Sequence, residues 1–324
     1  MEMIEEWMKL EGHCYNYSIL HEVECFAQEF QKEDKYFRCS RIILEEVHKA
    51  KMKRHNLNHT SRFFLPIYCT IGVPPQKIIS LFSPEDVAKQ LTLIDFDYYK
   101  SIDPNELLGL KWLKEKTALY SPNIISLSSR NDLLCRWVAT TILVNEPEAR
   151  TELLAKFIEI SQWLFEMKNY HSFMGIITSF NLSAITRLSL FQGLPKKHND
   201  LLREFNIICN PNFQNIRERM KEQTLVPFMG VYLSDIIRLD EALPDYVDSN
   251  GTKMINIKKH KKIADRVNEL LSFQDSKLEP IEQLEPLYSS LVVLPAFLDN
   301  KTLHKLSIEI EPTPLQLAVN EELA

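Results

Sequence analysis

VPFMGVYLSDIIRLDEALPDY, running from Val226 to Tyr246, places a proline and a glycine at the mouth of an amphipathic helix. The helix ends in an acidic tip broken by Pro244, and a second long helix follows from about Ile255. A helix pair with so polar a tip is poorly suited to burial and well suited to being pushed into something else. Asp240 and Glu241 sit at the end of the first helix, where carboxylates oppose the helix dipole. An unfavourable charge at an exposed tip is either an irrelevant surface feature or one meant to meet a partner.

The rest of the chain frames that reading. With 324 residues, 45% hydrophobic and 25% charged, it has the make-up of a globular protein of one large domain, or one domain plus a smaller one. Its 7 glycines are few, and tight turns, bulges and phosphate loops depend on glycine. The shortage argues against β-rich and nucleotide-cradling α/β folds and for an all-α fold. A net charge of −6 gives no support for nucleic acid as the main partner. The acidic start MEMIEEWMKLEG lacks the apolar run of a signal peptide, and no stretch approaches a membrane span. The expected location is therefore cytoplasmic. Cys14, Cys25, Cys39, Cys69, Cys135 and Cys209 form no CxxC pair and read as buried free thiols.

Helical spacing is visible in residues 1 to about 60, through Phe26, Phe30, Tyr36 and Phe37 and then Ile42 to Val47. A connecting region follows, in which FFLPIYCTIGV suits a short strand or hairpin. Ser83-Pro84-Glu85-Asp86 spells a helix start, with a cap, a proline at the first position and acids in the first turn. Val87, Leu91, Leu93 and Ile94 then line one face. A second start is expected at Asn145 with Pro147 just inside it. The helix that follows carries Leu153, Leu154, Phe157, Ile158, Trp163 and Leu164 on its apolar face. Further helices are expected at about 171–180, 184–191, 196–209 and 213–222. Asn256 caps the last long helix, whose buried stripe is Ile257, Ile263, Ala264, Val267, Leu270 and Leu271. LSIEIEP alternates Leu306, Ile308 and Ile310 and suits an extended segment.

No catalytic signature is present: no GxSxG, HExxH or phosphate loop. His48 and His55 are too far apart for a metal pair on one helix turn, and His55 and His59 lack a third ligand, so no metal site is expected. Lys258-Lys259-His260-Lys261-Lys262 invites a nucleic-acid reading, but Ile257 and Ile263 bracket the run on the buried stripe. The lysines then fan outward as a solvated or anion-facing face.

Several blocks in order resemble the catalytic domain of Ras-type guanine-nucleotide exchange factors. FSPEDVAKQLTLIDFDYYKSIDPNELLG (Phe82–Gly109), SPNIISLSSRNDLLCRWV (Ser121–Val138) and KNYHSFMGIITSFNLSAITRL (Lys168–Leu188) match the family pattern. VPFMGVYLSDI is the most specific block, and MINIKKHKKIADRV and LSIEIEP complete the series. The resemblance spans about residues 76 to 313, roughly three quarters of the chain. It implies an exchange domain over 76–315. ECFAQEFQKEDKYFRCSRIILEEV resembles the last helices of the N-terminal exchanger motif, so residues 1–65 are expected to be a shortened, helical form of that module.

In this family a helical hairpin enters the nucleotide site of a small GTPase. The resemblance makes Met229 to Asp240 the first helix of that hairpin and starts the second near Asn256. It implies that Ile237 crowds the magnesium site and that Glu241 competes with phosphate, with Ser234 and Arg238 on the same face. Phe228 and Gly230 would meet the mobile switch. Met174, Thr178 and Asn181 would line the bowl for the second switch, with Thr186 nearby. By residue type alone, Met174 and Phe228 also suit plain core, Ser234 and Arg238 plain helix surface, and Asn181 a helix cap. The implied partner is a Ras-, Rap- or Ral-type GTPase, bound most tightly when nucleotide-free and approached peripherally at the membrane. Magnesium and guanine nucleotide belong to that partner, and the chain itself takes no cofactor. Departures from the family pattern are Ala242 and Leu243 after the hairpin glutamate, Ser183-Ala184 for a serine-proline pair, Thr186, and the small neutral Ser128 and Ser129. They leave as an alternative a degenerate exchanger that docks a GTPase or scaffold without releasing nucleotide; a separate rival is a helical interaction protein unrelated to GTPases.

Overall fold

The computed structural model describes residues 78–312 apart from 115–116, 210–211, 250–251, 286 and 295–297. The N-terminal segment 1–65, the strand or hairpin expected in FFLPIYCTIGV, and the outer bounds 76 and 315 of the expected domain lie outside the described residues. Those residues are all-α but for one two-stranded ribbon. In chain order the helices are α1 (Pro84–Lys100), α2 (Thr117–Tyr120), α3 (Pro122–Val144), α4 (Pro147–Glu166), α5 (Tyr170–Phe180) and α6 (Ser183–Thr186). After them come α7 (Lys196–Ile208), α8 (Gln214–Glu222), α9 (Met229–Ala242), α10 (Ile257–Ser272), α11 (Leu287–Val293) and α12 (Asn300–Ile310). The ribbon strands are β1 (Tyr246–Ser249) and β2 (Thr252–Ile255).

The core is a packed group of α1, α3, α4 and α5. The sequence dictates the start of α1 directly: Ser83 Oγ accepts from the Asp86 amide at 3.1 Å, with Pro84 inside and Glu85 and Asp86 in the first turn. Val87, Leu91, Ile94 and Tyr98 then fall on one face and are buried. In the middle of the bundle Trp137 of α3 meets Phe157 of α4 edge-on at 6.0 Å, both fully buried. Such side chains contribute about 1.5–3 kcal/mol each by leaving water. Burial pushes the Cys135 and Cys209 thiols up to about 12, which keeps them protonated and unreactive.

Some local expectations are corrected. Asn145 ends α3 and does not start α4: its Nδ2 donates to the Thr141 carbonyl at 2.6 Å, and Glu146 stands before Pro147. Trp163 faces solvent at 37% exposure, because Ile160, Ser161 and Leu164 complete the buried stripe of α4. The helix expected at 184–191 divides into α6 and a 3₁₀ turn from Ser189 to Gly193. LSIEIEP is helical: Leu303 and Ser307 are buried four residues apart, and Asp299 caps α12 by accepting from the Thr302 amide at 2.7 Å. Its alternation of Leu306, Ile308 and Ile310 is a coincidence within a helical stripe.

α9 and α10 form the hairpin, and its root is tied into the core. Tyr99 Oη of α1 donates to the Leu270 carbonyl. Gln274 Nε2 donates to the Tyr99 and Ile102 carbonyls at 2.9 and 3.1 Å. Tyr232 and Phe273 pack edge-on at 6.2 Å. The buried face of α10 is confined to Lys259, Val267 and Leu270; Ile257 and Ala264, expected on it, are exposed. The outer half of α10 packs mainly against α9, with Ile263 half-buried against the core. The ribbon itself, with Tyr246 opposite Ile255 and Val247 opposite Met254, was not foreseen between the two helices.

Candidate functional site

Ser234, Ile237, Arg238 and Glu241 share one face of α9, at spacings of three, four and seven residues. The opposite face carries Tyr232 and Ile236 into the core. Ser234 and Ile237 are half-buried, and Arg238 and Glu241 are exposed. A bidentate ion pair from Arg217 of α8 to Asp235 braces this helix from the side. Leu243, one of the departures from the family pattern, is half-buried where α9 ends.

The Phe228-Gly230 pair at the start of α9 has a geometry the sequence did not reveal. The Phe228 ring lies over Gly230, where a Cβ would stand 2.7 and 2.9 Å from ring carbons. It also packs against Phe213 at 5.6 Å and His171 at 6.5 Å between ring centroids. Gly230 is therefore the seat that lets the half-buried phenylalanine lie down. His171 begins the α5 stripe of His171, Met174, Thr178 and Asn181, so Phe228 abuts the head of that stripe. Met174 is buried, Thr178 and Asn181 are exposed, and Asn181 is also the C-cap of α5. Thr186 is exposed on α6, where its hydroxyl reaches the Leu182 carbonyl at 3.3 Å. Ser128 and Ser129 are half-buried on α3.

His171 is buried, and its Nε2 meets the Leu127 carbonyl at 3.0 Å, so that nitrogen carries the proton. Burial holds the imidazole below its ordinary pKa, with Asp95 working in the opposite direction, and the ring stays neutral.

The two groups of residues are joined through the backbone. The Tyr170 amide donates to the Val226 carbonyl at 2.9 Å, and the Lys168 carbonyl accepts from Leu225 and Val226, a parallel bridge between the start of α5 and the approach to α9. Beneath the bridge lies a buried polar cluster. Asn169 Nδ2 donates to Asp95 Oδ2 at 2.9 Å, Ser172 Oγ donates to the same carboxylate, and Arg130 Nε donates to Asp95 Oδ1 at 3.0 Å. Arg130 Nη1 continues to the Leu291 carbonyl at 2.9 Å, ahead of the break after α11. The signal for this cluster was present in the sequence: Asp95 and Arg130 are the charged residues among the buried-face positions of α1 and α3.

At the tip, Lys259 corrects the expectation that the whole lysine run fans outward. Lys258, Lys261 and Lys262 are exposed, but the Lys259 side chain is only 4% exposed. Its Nζ reaches Asp245 Oδ1 at 2.6 Å, the Asp240 carbonyl at 2.9 Å and Asp240 Oδ1 at 3.0 Å. Hydrogen bonding to Asp245 raises the lysine pKa, and the same bond lowers that of Asp245. Asn256 caps α10 by accepting from the Lys259 amide at 3.2 Å, while its Nδ2 donates to the Pro244 carbonyl at 2.8 Å. Glu241 makes no side-chain hydrogen bond or ion pair to any described residue. Beyond it, Tyr246, Val247, Met254, Ile255 and Ile257 are all exposed, an apolar ending to the hairpin. Among the described residues no group of three or more His, Cys, Asp or Glu is placed to hold a metal ion, and no helix is long and apolar enough to cross a membrane.

Comparison with known proteins bears on this geometry. The RasGEF domain family matches residues 86–261, from the first turn of α1 to the first turns of α10. Protein son of sevenless of Drosophila melanogaster is 30% identical over 215 residues, covering 65% of this chain and 13% of that protein. Ras guanine nucleotide exchange factor R of Dictyostelium discoideum is 29% identical over 276 residues, covering 84% of this chain and 16% of that protein. Ras guanine nucleotide exchange factor Y of the same organism is 29% identical over 336 residues, covering 96% and 22%. The chain thus spans less than a quarter of the length of these relatives.

Proposed function

The chain belongs to the RasGEF domain family, and from that premise we propose that it is a guanine-nucleotide exchange factor acting on a Ras-subfamily small GTPase. The observation that carries the reading is the hairpin, whose first helix and tip lie within the matched region. It is rooted in the core and presents on one face Ser234, Ile237, Arg238 and Glu241, which has no side-chain partner among the described residues. On this reading the hairpin enters the nucleotide region of the GTPase. Ile237 crowds the magnesium site, and Glu241 competes with phosphate for the polar groups of the phosphate loop. Ser234 and Arg238 add polar contacts on the same face. Phe228, on its Gly230 seat, meets one switch, and Met174, Thr178, Asn181 and Thr186 form the wall for the other. The nucleotide and the magnesium ion are the partner's.

An exchanger makes and breaks no bond. It is one of two ligands that weaken each other on a shared GTPase, and linkage makes the weakening mutual. The chain should then hold nucleotide-free GTPase tightly and let go when GTP is supplied in excess. Release of fluorescent GDP from a panel of Ras-, Rap- and Ral-type GTPases tests this directly, with acceleration of at least one expected. Phe228→Ala should cost about 2 kcal/mol or more of the transition-state stabilisation, as an aromatic anchor does. Glu241→Ala should slow release with the circular-dichroism spectrum and melting temperature unchanged. Unaltered release from every GTPase would sink the reading. Capture of nucleotide-free GTPase without release would favour the degenerate exchanger that Ala242 and Leu243 leave open.

A further inference from the structure

On the exchange reading above, we infer that Lys259 is a positioning residue that fixes the end of α9, so that Glu241 alone presents an uncompensated carboxylate to the partner. The end of α9 gathers negative charge from its free carbonyls and from Asp240 and Glu241, and its last turn contains no basic residue. The neutralising charge arrives from the neighbouring helix. Lys259 Nζ meets three oxygens at 2.6, 2.9 and 3.0 Å, from Asp245 Oδ1, the Asp240 carbonyl and Asp240 Oδ1. These are as many acceptors as an ammonium has protons. Asp240 and Asp245 flank the turn from helix to ribbon, and Asn256 closes the same turn by donating its amide to the Asp245 carbonyl at 2.8 Å and its Nδ2 to that of Pro244. Glu241 lies inside the closed segment with no side-chain partner among the described residues. The lysine thus takes one of two adjacent carboxylates and leaves the other.

The test compares Lys259→Met and Lys259→Arg with the wild-type chain in single-turnover GDP release at varied exchanger concentration. Lys259→Met should lower the maximal release rate about tenfold with the half-saturating concentration changed less than about twofold, and Lys259→Arg should recover part of the rate by restoring the charge. Glu241→Ala should cost a smaller factor in the Lys259→Met background than in the wild type, because the two act through one group. Equal factors in both backgrounds, or a Lys259→Met rate within about twofold of wild type, overturn the inference. Amide hydrogen exchange reads the clamp without any GTPase. Residues 241–256 should exchange faster in Lys259→Met while the core helices keep their protection, and unchanged exchange there overturns the clamp. A wild-type chain that releases nucleotide from no GTPase overturns the exchange reading and the catalytic half of this inference, and the clamp is then judged by hydrogen exchange alone.

Discussion

Gly230 shows how one missing methyl group sets the pose of a neighbour. In a helix, alanine is favoured over glycine by up to about 1 kcal/mol, so Gly230→Ala has a stabilising component. The added Cβ would stand 2.7 Å from the Phe228 ring, closer than real contacts allow, so the ring must leave its seat between Phe213 and His171. The two effects act on different observables. The alanine variant should melt within a few degrees of the wild type, since the opposing terms are each about 1 kcal/mol, and should release GDP several-fold more slowly. A variant with full exchange activity would show that the ring's pose is not what the partner reads. The order VPFMG named both residues in the sequence but not their mutual contact. Periodicity ranks residues as inward or outward, and it carries nothing about a ring folding back over its own helix.

At the scale of elements, the hairpin is firm at its root and open at its end. The sequence located α9 and the Asn256 cap because capping and amphipathic spacing are local rules. The ribbon escaped notice because its strands are four residues each and their apolar side chains lie on both faces. Alternation is informative only when one face is buried. The lysine run misled for a related reason: composition cannot say which one of several like charges turns inward toward carboxylates 14 and 19 residues earlier. The root is testable on its own. Tyr99→Phe removes the hydroxyl that meets the Leu270 carbonyl, and a buried acceptor left without its donor costs about 1–3 kcal/mol. Amides near the C-terminal end of α10 should lose protection from hydrogen exchange while α3 and α4 keep theirs. Equal protection in both proteins would mean that Gln274 and the apolar contacts suffice to hold the root.

Across the whole molecule, the Asp95 cluster joins α1, α3, α5 and α11 through charged groups withdrawn from water. Asp95 and Arg130 are 0% and 1% exposed at their side chains. Removing one member of so buried a pair strands the other, at a cost of about 3–5 kcal/mol. Asp95→Ala should lower the urea-unfolding free energy by that amount. A loss under about 1 kcal/mol would mean that water or a repacked side chain takes over the role. The all-α architecture was legible from glycine scarcity and helix-start motifs. Which helices would share a buried charge was not, because that depends on contacts between residues 35 to 161 positions apart.

The bridge from Tyr170 to Val226 works like the rivet of a caliper. One arm is the α5 stripe and the other is α9, and both leave the same hydrogen-bonded point. At that point their spacing is fixed by backbone hydrogen bonds. A partner gripped by both arms would find the span ready-made and would lose little freedom in bringing them to measure. Its own mobile segments would have to conform to the instrument. Selectivity among GTPases would then rest on which of them can be deformed to fit the fixed gap.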